Sequence, residues 1–510
     1  MMNRRAVFGN GVVLVLFLLA GGMAACLTRY ELVVDFIQYH YYNGFAFLKD
    51  RLGTDIAPVS VPTYYNPLLD GLTYALITVF RNHANIYYFI QGLWFGALMF
   101  AAYKTAGLFF DTNTKSGRVF VVLAILVCAT GSATWFQLGT STHEIETAVL
   151  TMTAFYLLLR DKKRYFVSGL LLGASAGFKL TAAIYCVSAG LTLILFCKTS
   201  DKPLKSIIVF ALGGLIGFLI IDGFWMVKLW RLYGNPFFPF WNGIFKSPYY
   251  PEINYIDTLH LDGKTVVDHL LAPFLMAYQY GFTLNVPTRD PRMAVAVIVG
   301  VFALIICRKQ RNKRVVFCAV LALISFVVWD VVSFNARFLI PVEQLAGILI
   351  VYAFYRLYRA YPELTIKTAV PYVFATLCLY ALLAAPVFSQ PWGRMPRLVF
   401  LNEKIELPPD ALVQAEGGLY AVVLTDILRE NPTARSIGYA KNRKIPLWNM
   451  TLYGQMKRDA EKVSAKRFKV FLKDVRFLEK PAEYGGCRRL QVSDFIESSF
   501  YNSYYLCENG

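Results

Sequence analysis

Long apolar stretches separated by short polar loops dominate the hydropathy pattern of this chain. A helix needs about 20 apolar residues to cross the hydrocarbon core of a bilayer. Most of the stretches approach or exceed that length, so the pattern predicts a polytopic helical membrane protein. The stretches cover residues 6–28, 86–110, 119–140, 145–160, 165–197, 206–230, 293–307, 315–335, 336–358 and 368–388.

Basic residues are concentrated between these stretches, and their positions predict the orientation of the chain. They lie in KSGR (115–118), RDKKR (160–164), KTSDKPLK (198–205) and RKQRNKR (308–314). Loops rich in Lys and Arg stay on the cytoplasmic side, so we expect all four loops there. The N-terminus is then cytoplasmic too, and its apolar segment is expected to be an uncleaved first span rather than a cleaved signal peptide.

This orientation resolves two ambiguous segments. Residues 165–197 begin and end at cytoplasmic loops, so we expect a tight hairpin whose apex places Lys179 at the external surface. Residues 66–80 form a shorter apolar run, and if that run crossed the bilayer, the KSGR loop would lie outside. We therefore expect an interfacial helix on the outer leaflet and about eleven crossings in total.

Three long segments are then external: residues 29–85, 231–292 and 389–510. The last combines the strand-like runs LYAVVLTD and RFKVFLKD with a helical, charged KRDAEKVSAKR. The predicted fold is an all-α polytopic transmembrane domain over residues 1–388 and a small extracytoplasmic α/β domain over residues 389–510. Cys487 and Cys507 both lie in this tail and can form a disulfide only if the tail faces an oxidising compartment.

The composition supports a membrane protein and excludes other classes. Of the 510 residues, 56% are hydrophobic and 16% are charged, whereas soluble domains carry about 25% charged residues. The net charge of +18 is explained by the cytoplasmic loops, so no nucleic-acid partner is predicted. No CxxC or Cys/His spacing typical of a metal site occurs. His40 and His143 are expected to be structural, and neither is predicted to bind a metal.

Ionisable residues recur at the predicted external face, far apart in sequence. Such groups at membrane depth are costly and are usually functional. Two or three acids and two cations on one face suggest an anionic group held near a catalytic carboxylate. The residues are Asp35 after the first span, Glu144 and Glu146 in GTSTHEIETAV, Lys179 at the hairpin apex, and Arg337 in SFNARFLIPV.

Each of these residues also has a structural interpretation. Asp35 can be a solvated loop residue, and the glutamates of HEIE can favour a helix N-terminus through the helix dipole. Lys179 and Arg337 can extend to the lipid headgroups. The aromatic residues of the external loops are partly explained by an interfacial belt. The joint pattern, rather than any single residue, favours a functional site.

Five motifs in the first 360 residues resemble the GT-C superfamily of integral-membrane glycosyltransferases, which includes protein O-mannosyltransferases and the lipid A aminoarabinose transferase. Asp35 matches an acid after the first span, and PTYYNPLLDGLTYALITVF resembles the juxtamembrane helix that follows. A second acidic residue opens the fourth span of these enzymes, ahead of a run that ends in LLLR. Counted back from that run, the matching residue here is Glu144. Lys179 lies in GLLLGASAGFKLTA, which is similar to a Gly-rich hairpin with a Lys in these enzymes. ARFLIP, which contains Arg337, resembles the start of one of their late spans.

Two departures qualify this resemblance. Many members carry Asp-Glu at the first acidic site, whereas this chain has Asp35 followed by Phe36, and its second acid is Glu rather than the commoner Asp. The chain is therefore nearer to the branch that resembles bacterial hexosyl- and pentosyltransferases of envelope polysaccharides.

The resemblance implies inverting transfer from a polyprenyl-phosphate-linked sugar to a glycan, lipid or protein acceptor, at the external face of the bacterial inner membrane. Asp35 would be the general base, and Glu144 would hold the acceptor or orient Lys179. Lys179 and Arg337 would offset charge on the leaving phosphate. No cofactor is required, although a divalent metal is possible because some relatives use one. The other expected substrate contacts are Tyr39, Tyr41, Tyr64, Tyr65 and Asn66.

Three alternatives remain open. A transporter or flippase of lipid-linked sugars predicts ionisable groups near the middle of the bilayer, for which Asp222 and Asp330 are the obvious acids. A polysaccharide polymerase or ligase would use a diphosphate-linked donor and Arg-rich external loops. A non-catalytic membrane scaffold would need none of the ionisable residues.

Overall fold

A computed structural model describes residues 4–28, 35–160, 164–196, 203–254, 264–279, 281–283, 289–306, 312–360, 398–416, 421–439, 467–474, 487–492 and 502–509. Helices make up most of the first 360 residues. In chain order they are α1 (Arg4–Thr28), α2 (Tyr41–Leu48), α3 (Leu68–Val79), α4 (Ala84–Ala106), α5 (Lys115–Ala129), α6 (Ser132–Phe136), α7 (Glu144–Leu159), α8 (Tyr165–Phe178), α9 (Ala183–Leu195), α10 (Pro203–Tyr233), α11 (Asn242–Phe245), α12 (Val266–Tyr278), α13 (Arg292–Ile306), α14 (Lys313–Val332) and α15 (Ile340–Ala360).

The chain is a helical membrane protein. Five helices in the described ranges, α1, α4, α10, α14 and the segment Ala336–Arg359, are long and apolar enough to cross a bilayer. The predicted hairpin 165–197 is divided at Lys179, between α8 and α9, and the predicted short helix of 66–80 is α3. The predicted span 368–388 lies outside the described residues, and the total of eleven crossings stays a prediction.

Close approach at glycines holds two helix pairs together. A Cβ built on Gly96 of α4 would lie 2.3 Å from the carbonyl oxygen of Phe17 in α1, and a Cβ on Gly173 of α8 would lie 1.9 Å from that of Gly214 in α10. These contacts leave no room for a side chain. Small residues let membrane helices pack backbone to backbone, where burial of apolar side chains supplies little driving force.

The C-terminal domain is a mixed sheet with a helix on it. Its strands are β1 (Leu412–Glu416), β2 (Arg435–Tyr439), β3 (Arg467–Asp474), β4 (Cys487–Arg489) and β5 (Asn502–Asn509), in the spatial order β2-β1-β3-β5-β4. Strands β1, β2 and β3 run parallel, whereas β5 is antiparallel to both β3 and β4. Helix α16 (Ala421–Glu430) connects β1 to β2.

The structure confirms one predicted strand of this domain and corrects another. RFKVFLKD is β3, but most of LYAVVLTD belongs to helix α16, and KRDAEKVSAKR lies almost wholly outside the described residues. The prediction was wrong because a short apolar run fits a buried strand and a buried helix equally well. Helix α16 is buried along nearly its whole length, from Ala421 to Leu428.

The C-terminal domain is bound directly to residues 35–85, the described part of the first segment predicted to be external, which we call the first external segment. Arg51 and Asp55 form a buried ion pair, with 2.6 Å between Nε and Oδ2. Arg51 also donates to the carbonyl oxygen of Ala434 at 2.6 Å, and Asp55 accepts from the backbone N–H of Ser436 at 2.7 Å. Ile56 extends the edge of the sheet by pairing with β2. The first segment therefore contributes a piece of the sheet.

The two regions also share one hydrophobic core. Phe36 and Tyr41 of the first segment contact the ring of Phe400, with centroids 5.8 and 4.9 Å away. Val413 and Leu424 of the C-terminal domain belong to the same buried cluster. Because burial of apolar area is the main favourable term in folding, this shared core fixes the residues around Asp35 relative to the sheet.

Candidate functional site

Asp35 lies at the start of the first external segment, one residue before a π-helical turn, Phe36–His40, that leads into α2. Its Oδ2 accepts a 2.7 Å hydrogen bond from Nη1 of Arg337 and a 3.3 Å hydrogen bond from the Tyr39 hydroxyl. Arg337 lies in the 3₁₀ turn Ala336–Leu339 before α15, where Asn335 caps its backbone N–H. The pair is largely buried, with side-chain exposures of 20% for Asp35 and 7% for Arg337.

Glu144 and Lys179 form a second ion pair beside the first. Lys179 Nζ lies 2.6 Å from Glu144 Oε1 and donates to the carbonyl oxygen of Thr142 at 2.7 Å. Arg337 Nε lies 4.0 Å from the same Glu144 oxygen, which joins the two pairs into one row. We call Asp35, Arg337, Glu144 and Lys179 the ionic cluster. Four of the five ionisable residues predicted to share one face are therefore in one place.

The ionic cluster has unused hydrogen-bonding capacity. Arg337 Nε and Glu144 Oε2 are buried and have no hydrogen-bond partner among the described residues. Buried polar atoms are almost always paired in native proteins. A donor and an acceptor left open side by side would suit a ligand that carries both an anionic oxygen and a hydroxyl group.

The charges around Asp35 hold its carboxyl group ionised. Burial by itself would raise the pKa of Asp35, but the positive charge of Arg337, helped by His40 and Lys179, outweighs burial and leaves this pKa below its ordinary value. The side chain is thus a carboxylate at neutral pH. Of the charges that lower this pKa, Arg337 has the largest effect.

A second buried polar network lies against the ionic cluster. Asp70 Oδ1 contacts His40 Nδ1 at 2.7 Å and His143 Nε2 at 2.8 Å, and His143 Nδ1 lies 3.2 Å from Glu146 Oε1. His143 has a left-handed backbone conformation (φ 69°), directly before α7. That conformation is uncommon outside glycine, although histidine adopts it more often than most residues, and the two carboxylate contacts of the imidazole hold it in place.

The titration behaviour of this network follows from burial and pairing. Burial would lower the pKa of His143, but its hydrogen bonds to Asp70 and Glu146 raise it to about 9. Burial would raise the pKa of Asp70, yet the two imidazoles bring it below its ordinary range. The pKa of His40 is lowered, chiefly by burial. The sequence did not indicate a role for Asp70, because an acidic residue in a short interfacial helix is expected on the polar face of that helix.

The predicted substrate-contacting residues occupy three different surroundings. Tyr39 and Tyr65 lie at the ionic cluster, with ring centroids 5.8 Å apart, and Tyr65 is exposed. Tyr41 is buried in the core shared with the C-terminal domain, and its hydroxyl donates to Asp426. The ring of Tyr64 is buried in a separate core with Tyr233 and Phe238.

Asn66 lies at the junction of α3 and α10. Its amide donates to Asp222 at 2.7 Å, and its side-chain oxygen accepts from the backbone N–H of Leu68 at the start of α3. These contacts give Asn66 a role in positioning α3. The side chains of Asn66, Tyr41 and Tyr64 are engaged with protein groups, and their contacts with substrate stay predictions.

No protein-family model matches this chain, and no curated protein is detectably similar to it. The resemblance to GT-C glycosyltransferases therefore rests on the order of the motifs along the sequence.

Proposed function

We propose that this protein is a membrane glycosyltransferase of GT-C type, which moves a sugar from a polyprenyl-phosphate-linked donor to an envelope glycan, lipid or protein acceptor. The ionic cluster is the observation that carries this proposal. Arg337 and Lys179 supply two cations to one place, and each is held by a carboxylate that a phosphate could replace. Paired cations at a buried site suit the binding of a phosphate leaving group.

The proposed chemistry is a single displacement at the anomeric carbon. The acceptor hydroxyl oxygen forms a bond to that carbon while the bond between the carbon and the phosphate oxygen breaks. The electron pair of the broken bond leaves with the polyprenyl phosphate, and the hydroxyl proton passes to the Asp35 carboxylate. Attack from the face opposite the leaving group inverts the anomeric configuration.

Donor binding would activate the base. When the donor phosphate takes hydrogen bonds from Arg337, the charge that lowers the pKa of Asp35 is shared with the phosphate, and the carboxylate becomes a better proton acceptor. The open Glu144 Oε2 is placed to accept a hydrogen bond from a sugar or acceptor hydroxyl. Tyr39 and the exposed Tyr65 would form the wall against which the sugar lies.

We infer the topology from the basic loops: a cytoplasmic N-terminus, about eleven crossings of the bacterial inner membrane, and a periplasmic C-terminal domain. The ionic cluster then lies on the external side, where a lipid-linked donor is available and nucleotide-sugars are not. Because the C-terminal domain shares a core with the first external segment, it would help to position Asp35.

The experiment is a turnover assay with the purified full-length protein in detergent. Incubation with polyprenyl-phosphate sugars and an envelope extract should release free polyprenyl phosphate and form a glycosylated product of inverted configuration. Counterflow of intact donor in proteoliposomes, without release of polyprenyl phosphate, would instead support the transporter alternative and overturn this proposal.

A further inference from the structure

Three side chains from separate parts of the chain converge beside the ionic cluster. His40 ends the π-helical turn, Asp70 lies in the first turn of α3, and His143 precedes α7. His40 Nδ1, Asp70 Oδ1 and His143 Nε2 all lie within 4.8 Å of one another, and all three residues are buried. Two of the separations, 2.7 and 2.8 Å, are already hydrogen-bonding distances.

We propose that these three residues bind a divalent transition-metal ion, with zinc as the first choice. Two imidazoles and one carboxylate form the donor set of many zinc sites that keep an open coordination position. Tetrahedral bonds of about 2.0–2.1 Å place neighbouring ligand atoms roughly 3.3 Å apart, so the 2.7 and 2.8 Å contacts would each widen by about half an ångström to admit the ion. Nitrogen ligands favour zinc over calcium or magnesium, which prefer oxygen.

The surroundings of His143 support a metal ligand. Glu146 Oε1 lies 3.2 Å from His143 Nδ1, so Glu146 fixes the ring with Nε2 directed towards His40 and Asp70. A carboxylate that orients the outer nitrogen of a ligating histidine is a regular feature of metal sites. Glu146 would therefore be a positioning residue, one step removed from the ion.

The charge balance of the site and an imidazole nitrogen without a hydrogen-bond partner also support a bound divalent ion. Asp70 and Glu146 bring two negative charges into a buried site, and a divalent ion held by neutral imidazoles balances both. With Nδ1 of His40 on the ion, Nε2 carries the ring hydrogen. This nitrogen is buried and has no hydrogen-bond partner in the described part of the chain, and it points away from the ion, so it could donate to a ligand bound beside the ionic cluster.

The inference stands independently of glycosyl transfer, since it concerns binding alone. The ion would tie the first external segment and α3 to the start of α7, and thereby set the separation between Asp35 and Glu144. The sequence alone suggested neither histidine as a ligand, because their spacing of about one hundred residues matches no metal motif.

The test uses tag-free, full-length protein in detergent, stripped with a chelator and titrated with Co²⁺ and then with Zn²⁺. We expect about one equivalent of bound metal and the visible absorption bands of four-coordinate Co²⁺, which Zn²⁺ should displace. Asp70→Asn and His40→Gln should weaken Co²⁺ binding by at least about a hundredfold. Glu146→Gln, which keeps all three ligands, should weaken it about 10–100-fold.

His83→Gln is the matched control, because His83 is exposed and lies outside the site. It should bind Co²⁺ like the wild type. Elution as a single monodisperse species checks that each variant is folded. The Co²⁺ spectrum of the wild type tests metal binding even if a variant fails to fold. Substoichiometric binding without the absorption bands, or binding that all three site variants retain, would overturn the proposal and leave the network as hydrogen bonds only.

Discussion

Arg337 donates a 2.7 Å hydrogen bond to Asp35, although 302 positions separate the two residues in the chain. The contact joins the first external segment to the start of α15, and Glu144 and Lys179 complete the row beside it. Each cation in this row is held by a carboxylate, which the proposed donor phosphate would displace.

Asp35→Asn should lower the turnover of lipid-linked sugar by about 10²–10⁴-fold, because the amide cannot take up the acceptor proton. The measurement is release of polyprenyl phosphate by purified protein, with expression and membrane insertion compared alongside. Asp50→Asn is the matched control, since Asp50 is exposed and pairs with Lys228 away from the ionic cluster. Near-wild-type turnover of Asp35→Asn would show that Asp35 is not the base.

Lys179→Ala should raise the apparent KM for the donor and also lower kcat. The ammonium group would contact the phosphate in the bound donor, and more strongly once the phosphate leaves with its extra charge. Steady-state kinetics over a range of donor concentrations separate the two effects. Lys228→Ala, which removes a lysine outside the ionic cluster, should leave both constants unchanged. Unaltered kinetics of Lys179→Ala would leave this lysine a structural role only, as the partner of Glu144 and of the Thr142 carbonyl oxygen.

The Asp35–Arg337 contact should stabilise the fold equally at all pH values from 7 down to about 4. In the native state the pKa of Asp35 lies below 3.8, the ordinary value that applies to the unfolded chain. The stabilisation is therefore complete above pH 3.8 and is lost as the pH falls through the lower native pKa. The unfolding temperatures of the wild type and Asp35→Asn should therefore differ by a constant amount until about pH 4. A difference that already shrinks between pH 6 and 5 would mean that this pKa is raised instead.

Arg51→Ala should destabilise the junction between the first external segment and the C-terminal domain by about 3–5 kcal/mol, because it leaves Asp55 buried without its partner. Faster proteolytic release of the C-terminal domain and a lower unfolding temperature are the readouts. Lys404→Ala is the control, because its pair with Glu406 is largely exposed and such pairs contribute about 0–1 kcal/mol. Equal effects of the two substitutions would argue against the junction.

Cys487 and Cys507 should form a disulfide when the protein is isolated from its membrane. The register of β4 and β5 places the two residues directly opposite each other on antiparallel strands, and a periplasmic domain matures in an oxidising compartment. Peptide mass spectrometry without reduction should detect the linked pair. Two free thiols in freshly alkylated membranes would place the domain in a reducing compartment and contradict the proposed topology.

Much of the helical architecture follows from local sequence. Apolar runs of spanning length give α1, α4, α10 and α14 within a few residues, because the bilayer requires uninterrupted apolar helices. The break of residues 165–197 at Lys179 follows from the basic loops on either side. Those loops also predict that Asp35, Glu144, Lys179 and Arg337 share one face, without any knowledge of their contacts.

Other features depend on the neighbours of each residue. The apolar run of α16 became a helix because the sheet and the first external segment cover it together, and its residues alone fit either state. Tyr41 and Tyr64, expected at a sugar site, fill hydrophobic cores. Asp70 had no visible role until α3 brought it between His40 and His143.

The sequence by itself indicated most of the helical segments, the basic loops, and a group of ionisable residues on one predicted face of the membrane, because hydropathy and charge act locally along the chain. Only the tertiary structure decided which acid meets which base. Pairing across hundreds of residues depends on how helices pack at their glycines and on how the C-terminal domain holds the first external segment. The row from Asp35 to Lys179 is a product of that packing.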